Sequence, residues 1–76
     1  MIISVFPDSS ALARAVYQPA HAVLYIEFRD GSGYRFHGVP LAVFSSLLGA
    51  ISKGAFFNSH IRTAFPSTRL PVSISI

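Results

Sequence analysis

The dipeptide Asp30-Gly31 separates two runs, HAVLYIEFR (21–29) and GYRFHGV (33–39), both rich in β-branched and aromatic residues. Such a pair reads as a β-hairpin, because Asp-Gly readily takes the backbone conformation that tight hairpin turns require. A one-residue slip in strand pairing moves every side chain to the opposite face, so the turn decides which residues share a side. A two-residue loop would set Ile26 opposite Arg35 and Leu24 opposite His37, mixing aliphatic with cationic groups. A three-residue loop, Arg29-Asp30-Gly31, with Gly31 left-handed in a bulge, pairs Ile26 with Tyr34 and Leu24 with Phe36. It also pairs Tyr25 with Arg35 and Val23 with His37. This register separates apolar from polar residues, and a loop moved to Asp30 to Ser32 gives the same faces. It predicts Tyr34 and Phe36 on a core side, and Tyr25, Arg35 and His37 on the other.

The flanking segments extend the pattern. Gln18-Pro19-Ala20 reads as a turn, and Ala11 to Tyr17 before it as a strand. If Tyr17 pairs with Ala22, then Ala11, Ala13 and Ala15 line the core side, and Leu12, Arg14 and Val16 the other. That arrangement places Arg14, Tyr25 and Arg35 in one lateral row, with His37 beside it. After Pro40 the period changes: Leu41, Phe44, Leu47 and Leu48 recur at helical spacing, with Pro40 in the first turn and Gly49 at the stop. Ser52 reads as the N-cap of a second helix, Lys53 to about Thr63, with Phe57 and Ile61 on one face and Pro66 beyond its end. The opening MIISV and the alternating Val72-Ile74-Ile76 read as edge strands. The expected fold is α+β: an antiparallel three-stranded meander, extended by N- and C-terminal edge strands, packed against two short helices. One domain spans 1–76, with its core at about 9–66 and an extended tail or edge strand at 67–76.

Composition narrows what such a fold can do. At 76 residues a domain buries only about 60% of the surface its unfolded chain exposes. Disulfides cannot assist, because the chain has no cysteine; this fits a reducing compartment and a cytoplasmic location. Hydrophobic residues make up 51% and charged residues 12%, far fewer charges than the quarter or so usual in soluble domains. No apolar run approaches the roughly 18 residues of a membrane span, and the first residues lack the basic region of a signal peptide. The apolar surplus therefore predicts a homo-oligomer or a covered docking patch rather than a membrane partner. The net charge of +3 suits an anionic partner.

Reactive constellations are absent from the sequence. The only carboxylates are Asp8, Glu27 and Asp30, and Asp30 is accounted for by the turn. His21, His37 and His60 are scattered, so no local metal motif forms. The GSG and SKG triplets lack the spacing of phosphate loops, and no serine sits in a nucleophile elbow. No catalysis, metal or cofactor is expected.

Taken in order, Ser10, Tyr17, the run Leu24 to Gly31, Tyr34-Arg35-Phe36, Val39-Pro40, Phe44, Leu47, Ser52 to Asn58 and Ile61-Arg62 resemble the KTSC domain family. The likeness runs from about Ser9 to Pro66. This family is found at the C-terminus of some lysyl-tRNA synthetases and alone in small bacterial and phage proteins. Its central Tyr-x-Tyr motif corresponds to Tyr34-Arg35-Phe36, where phenylalanine replaces the second tyrosine. A packing or stacking role can carry over to Phe36; a role for the missing hydroxyl cannot. The synthetase context implies RNA binding as an analogy.

These readings lead to a small, non-catalytic binding module for RNA or another nucleic acid. Arg14, Arg35, Lys53 and Arg62 would neutralise phosphates, Tyr25 would stack on a base, and His37 and Asn58 would hydrogen-bond. Four phosphate contacts would give a log–log salt slope of roughly −3 to −4. The rival for the sheet residues is a merely solvated face. The rival for the whole chain is a protein-interaction or self-assembling module, such as a phage-encoded protein that binds and modulates a host protein.

Overall fold

A computed structural model describes residues 1–71. Five strands, β1 (Ile2–Val5), β2 (Leu12–Gln18), β3 (Val23–Phe28), β4 (Gly33–His37) and β5 (Ser67–Leu70), form an antiparallel sheet in chain order. Helices α1 (Leu41–Gly49) and α2 (Lys53–His60) are inserted between β4 and β5. The opening edge strand is present as β1. The alternating segment 72–76 lies outside the described residues; among the described residues β5, within the 67–76 stretch expected as a tail or edge strand, is the other edge of the sheet.

The β3–β4 hairpin adopts the three-residue loop. The Phe28 amide donates to the Ser32 carbonyl at 2.9 Å, and Gly31 has φ +90°. Ile26 pairs with Tyr34, Leu24 with Phe36, Tyr25 with Arg35 and Val23 with His37. Two helix-side rows follow from the ladder: Ile2–Tyr17–Leu24–Phe36–Ser67 and Ser4–Ala15–Ile26–Tyr34–Arg69. Both helices cover this side. Phe44 and Leu47 of α1, Phe57 of α2 and Ile61 just beyond it are buried in the same cluster as Tyr17, Leu24, Ile26 and Phe36.

The β2–β3 connection differs from expectation. Tyr17 pairs with Leu24, not Ala22, so the loop is Pro19 to Ala22 and the ladder is displaced by two residues. Ala22 closes that loop with φ +53°. A displacement of two preserves the faces but changes every lateral neighbour. A bulge between Leu12 and Arg14 then turns Leu12 toward the helices, where it is fully buried. Leu12 is therefore a core residue rather than an outer-face one, and Ala11 precedes the strand and is exposed.

The helix boundaries have local causes. Pro40 is the N-cap of α1 rather than its first helical residue, and its carbonyl accepts from Val43 and Phe44. The Ser52 hydroxyl accepts from the Ala55 amide at 3.2 Å and caps α2. Arg62 donates back to the Phe57 carbonyl at 2.9 Å, a five-residue reach that ends α2 at His60, short of Thr63. No helix among the described residues is long and apolar enough to cross a membrane.

Candidate nucleic-acid interface

The seven candidate residues fall on separate surfaces. Arg14, Tyr25, Arg35 and His37 lie on the side of the sheet away from both helices. The displaced ladder puts Arg14 opposite Glu27, and their side chains form an ion pair, Nε to Oε1, at 3.4 Å. The lateral row through Tyr25 is Ile3–Val16–Tyr25–Arg35–Thr68. Tyr25 is thus flanked by Val16 and one guanidinium, not by two, and the expected Arg14–Tyr25–Arg35 row does not form. Arg35 is half-buried, and its Nε is shielded from solvent with no acceptor among the described residues. His37 sits half-buried across from Val23.

Lys53 is engaged elsewhere. Its ammonium donates to the Ala50 carbonyl, at the C-cap of α1. There it offsets the partial negative charge of a helix end. That accounts for a lysine at the first position of α2, where the helix dipole would disfavour a cation.

Asn58 and Arg62 stand together on the helix side, with Arg62 Nη1 donating to Asn58 Oδ1 at 3.4 Å. They rim a cleft of about 540 Å3 between α2 and the turn end of the β3–β4 hairpin. Its wall is a closed ring of four aromatic residues. Phe28 meets Tyr34 edge-on at 5.6 Å and Phe57 edge-on at 5.3 Å; Phe57 meets Phe36 at 5.4 Å, and Phe36 meets Tyr34 at 6.3 Å. Edge-to-face contacts of this kind hold rings in fixed orientations beyond what area burial alone supplies. Phe36 is buried and acts as packing, whereas Tyr34 remains half-exposed. Arg69 of β5, opposite Tyr34 in the ladder, holds its guanidinium 5.7 Å from the tyrosine ring centre and donates to its hydroxyl at 3.4 Å.

Asp30 and Ser32 also line the cleft. The Ser32 hydroxyl and amide both donate to Asp30 Oδ1, at 2.6 and 2.9 Å. These bonds, the hydroxyl's first, hold the Asp30 carboxyl below its usual pKa. The residues missed in the sequence are Phe28 and Phe57 as members of the cleft, and Arg69 as the neighbour of Tyr34. Helical spacing marked Phe57 as core, but no local signal placed Arg69 beside Tyr34, because β4 and β5 are separated by both helices. Among the described residues, no three His, Asp or Glu side chains converge as a metal site would require.

The KTSC family model matches residues 8–65. The chain belongs to the KTSC family. A KTSC domain protein from Yersinia pestis, known from its crystal structure, superposes with a TM-score of 0.82 at 30% identity, covering 91% of this chain and 99% of that one. A protein from Tsukamurella paurometabola is 38% identical over 63 residues, 83% of this chain and 94% of its own length. A lysine–tRNA ligase from a Nostoc species is 36% identical over 64 residues, 84% of this chain. This KTSC chain spans only 11% of that ligase's length. Tyr34, Phe36, Phe57, Asn58 and Arg62, all within the matched region, converge on the one cleft.

Proposed function

We propose that this KTSC domain is a non-catalytic RNA-binding module, and that its contact site is the cleft under α2. The observation that carries the reading is the pairing of an aromatic wall with a cation at its rim, Phe28, Tyr34 and Phe57 beside Arg62, while the Arg69 guanidinium lies against the Tyr34 ring. An unstacked base can rest against ring edges or a guanidinium plane while the adjoining phosphates meet the cations. The cleft is open to solvent on the side of Asn58 and Arg62, both exposed. The name of the Nostoc relative, a lysine–tRNA ligase, is in keeping with an RNA context.

Arg62 lines this cleft and Arg69 lies against its Tyr34, so two phosphate contacts are expected and the salt dependence is shallower than four would give. Two phosphates of a single strand imply a log–log slope of about −1.4. Fluorescence anisotropy with a labelled single-stranded RNA across a salt series reads it. Arg62→Gln and Arg69→Gln should each weaken binding and lower the slope by about 0.7. Absence of binding at low salt defeats the proposal. The rival, docking on a host protein, predicts that a protein and no nucleic acid copurifies with the native domain.

A further inference from the structure

We infer that strand β1 pairs with β1 of a second copy of this chain, joining two sheets across a two-fold axis. β1 is one edge of the sheet. The Phe6 amide donates to the Ala13 carbonyl at 3.0 Å, directly across the β1–β2 ladder. In an antiparallel ladder the bonded pairs alternate, so Ile2 and Ser4 also turn their amides toward β2. Ile3 and Val5 therefore direct both N–H and C=O outward from the edge.

Natural edges are blunted by charge, proline or a bulge. β1, Ile2–Val5, has none of these: its sequence is IISV, in unbroken register with β2. Its side chains are conspicuously uncovered as well. Met1, Ile3 and Val5 are 70%, 50% and 67% exposed, and Ile3 and Val5 lie on the helix-free face beside Val16 and Arg14.

The occupant follows from symmetry and charge. An uncharged strand paired antiparallel with its own copy makes the same contacts on both sides and closes as a dimer. Pairing with β5 of another copy would be head-to-tail, building a ring or a filament rather than a two-fold dimer; β5 also carries serine, threonine and Arg69. With the axis at Ser4, Ile3 of each copy lies opposite Val5 of the other, and all four outward groups on each strand are used. The aliphatic side chains of Ile3 and Val5 then cover one another. Four residues of edge bury less than the roughly 1,200 Å2 of a standard interface, so the dimer is reversible and its population follows concentration.

This inference does not depend on RNA binding, and salt separates the two. Two copies each carrying +3 repel less as salt rises, so dimerisation strengthens under conditions that weaken RNA binding. Sedimentation equilibrium should show monomer giving way to dimer as concentration increases toward about 1 mM. Ile3→Pro removes an outward donor that the intramolecular ladder does not use and should leave a folded monomer by circular dichroism. Should that variant fail to fold, Val5→Lys tests the same edge with charge. Amide exchange of Ile3 and Val5 in the unaltered chain should slow at high concentration. A chain that remains monomeric at about 1 mM, or a dimer that survives both substitutions, overturns the inference.

Discussion

The Tyr17 hydroxyl donates to the Val39 carbonyl at 2.6 Å in the buried interior, 22 residues away in sequence. The same ring lies nearly parallel to Phe44, with centroids 4.8 Å apart. One side chain thus fixes the entry to α1 by both a hydrogen bond and a stack. Tyr17→Phe should keep the stack but leave the Val39 carbonyl desolvated and without its donor, costing about 1–3 kcal/mol. A thermal melt reads this as a fall of about 4–8 °C per kcal/mol. An unchanged melting temperature would mean the bond contributes nothing.

Phe57 belongs to the aromatic ring of the cleft and to the core. Phe57→Ala should cost about 3–5 kcal/mol, a large share of the total stability of a domain this small. Urea titration should find it barely folded or unfolded. A loss under 1 kcal/mol would show that the cleft wall is not part of the core.

Ala22 holds φ +53°, a region that costs residues with a β-carbon about 1–2 kcal/mol. Glycine relieves that strain but loses more chain entropy on folding. Ala22→Gly should therefore stabilise the domain by a net amount below about 1 kcal/mol, seen as a higher urea midpoint at constant slope. A lower midpoint would contradict the strained loop.

The depressed Asp30 pKa gives the hairpin turn a pH dependence of defined sign. The folded-state value lies below the ordinary 3.8. The turn's contribution is therefore complete above that ordinary value and fades as pH falls through the lower folded one. A carbon-detected NMR titration of Asp30 should have its midpoint below the usual range. Ser32→Ala, which removes the dominant hydroxyl donor but keeps the amide, should move it part of the way back. No movement would assign the depression to another cause.

Arg35 separates a structural from a ligand-binding use of the open sheet face. Its Nε is shielded without an acceptor among the described residues, so methionine, similar in length and uncharged, should change stability by no more than about 1 kcal/mol. If Arg35→Met also leaves RNA affinity intact, binding is confined to the cleft. A tenfold loss of affinity with stability unchanged would return the sheet face to the interface.

Local physics made much of this legible. The Arg29-Asp30-Gly31 turn set the β3–β4 register, and with it the burial of Phe36 and the outward placing of Arg35. Ser52 and the Phe57–Ile61 spacing located α2. The β2–β3 ladder was less accessible. A four-residue loop ending in a left-handed alanine carries no residue signature, since alanine ordinarily avoids that conformation. The resulting shift of two residues paired Arg14 with Glu27, and the bulge beside it buried Leu12.

The sequence alone determined which residues alternate and which side of the central hairpin is apolar, because these depend on turn chemistry and on a two-residue period. Only the tertiary structure decided who meets whom across distance. Arg69 reaches Tyr34 because β5 returns to β4, and Asn58 and Arg62 reach the aromatic ring because α2 packs its Phe57 against the sheet. β5, an exposed Ser-Thr-Arg-Leu strand, is held there by its backbone ladder with β4, while α2 is held by apolar burial, which is non-directional; neither leaves a pattern of its own at the polar residues brought together.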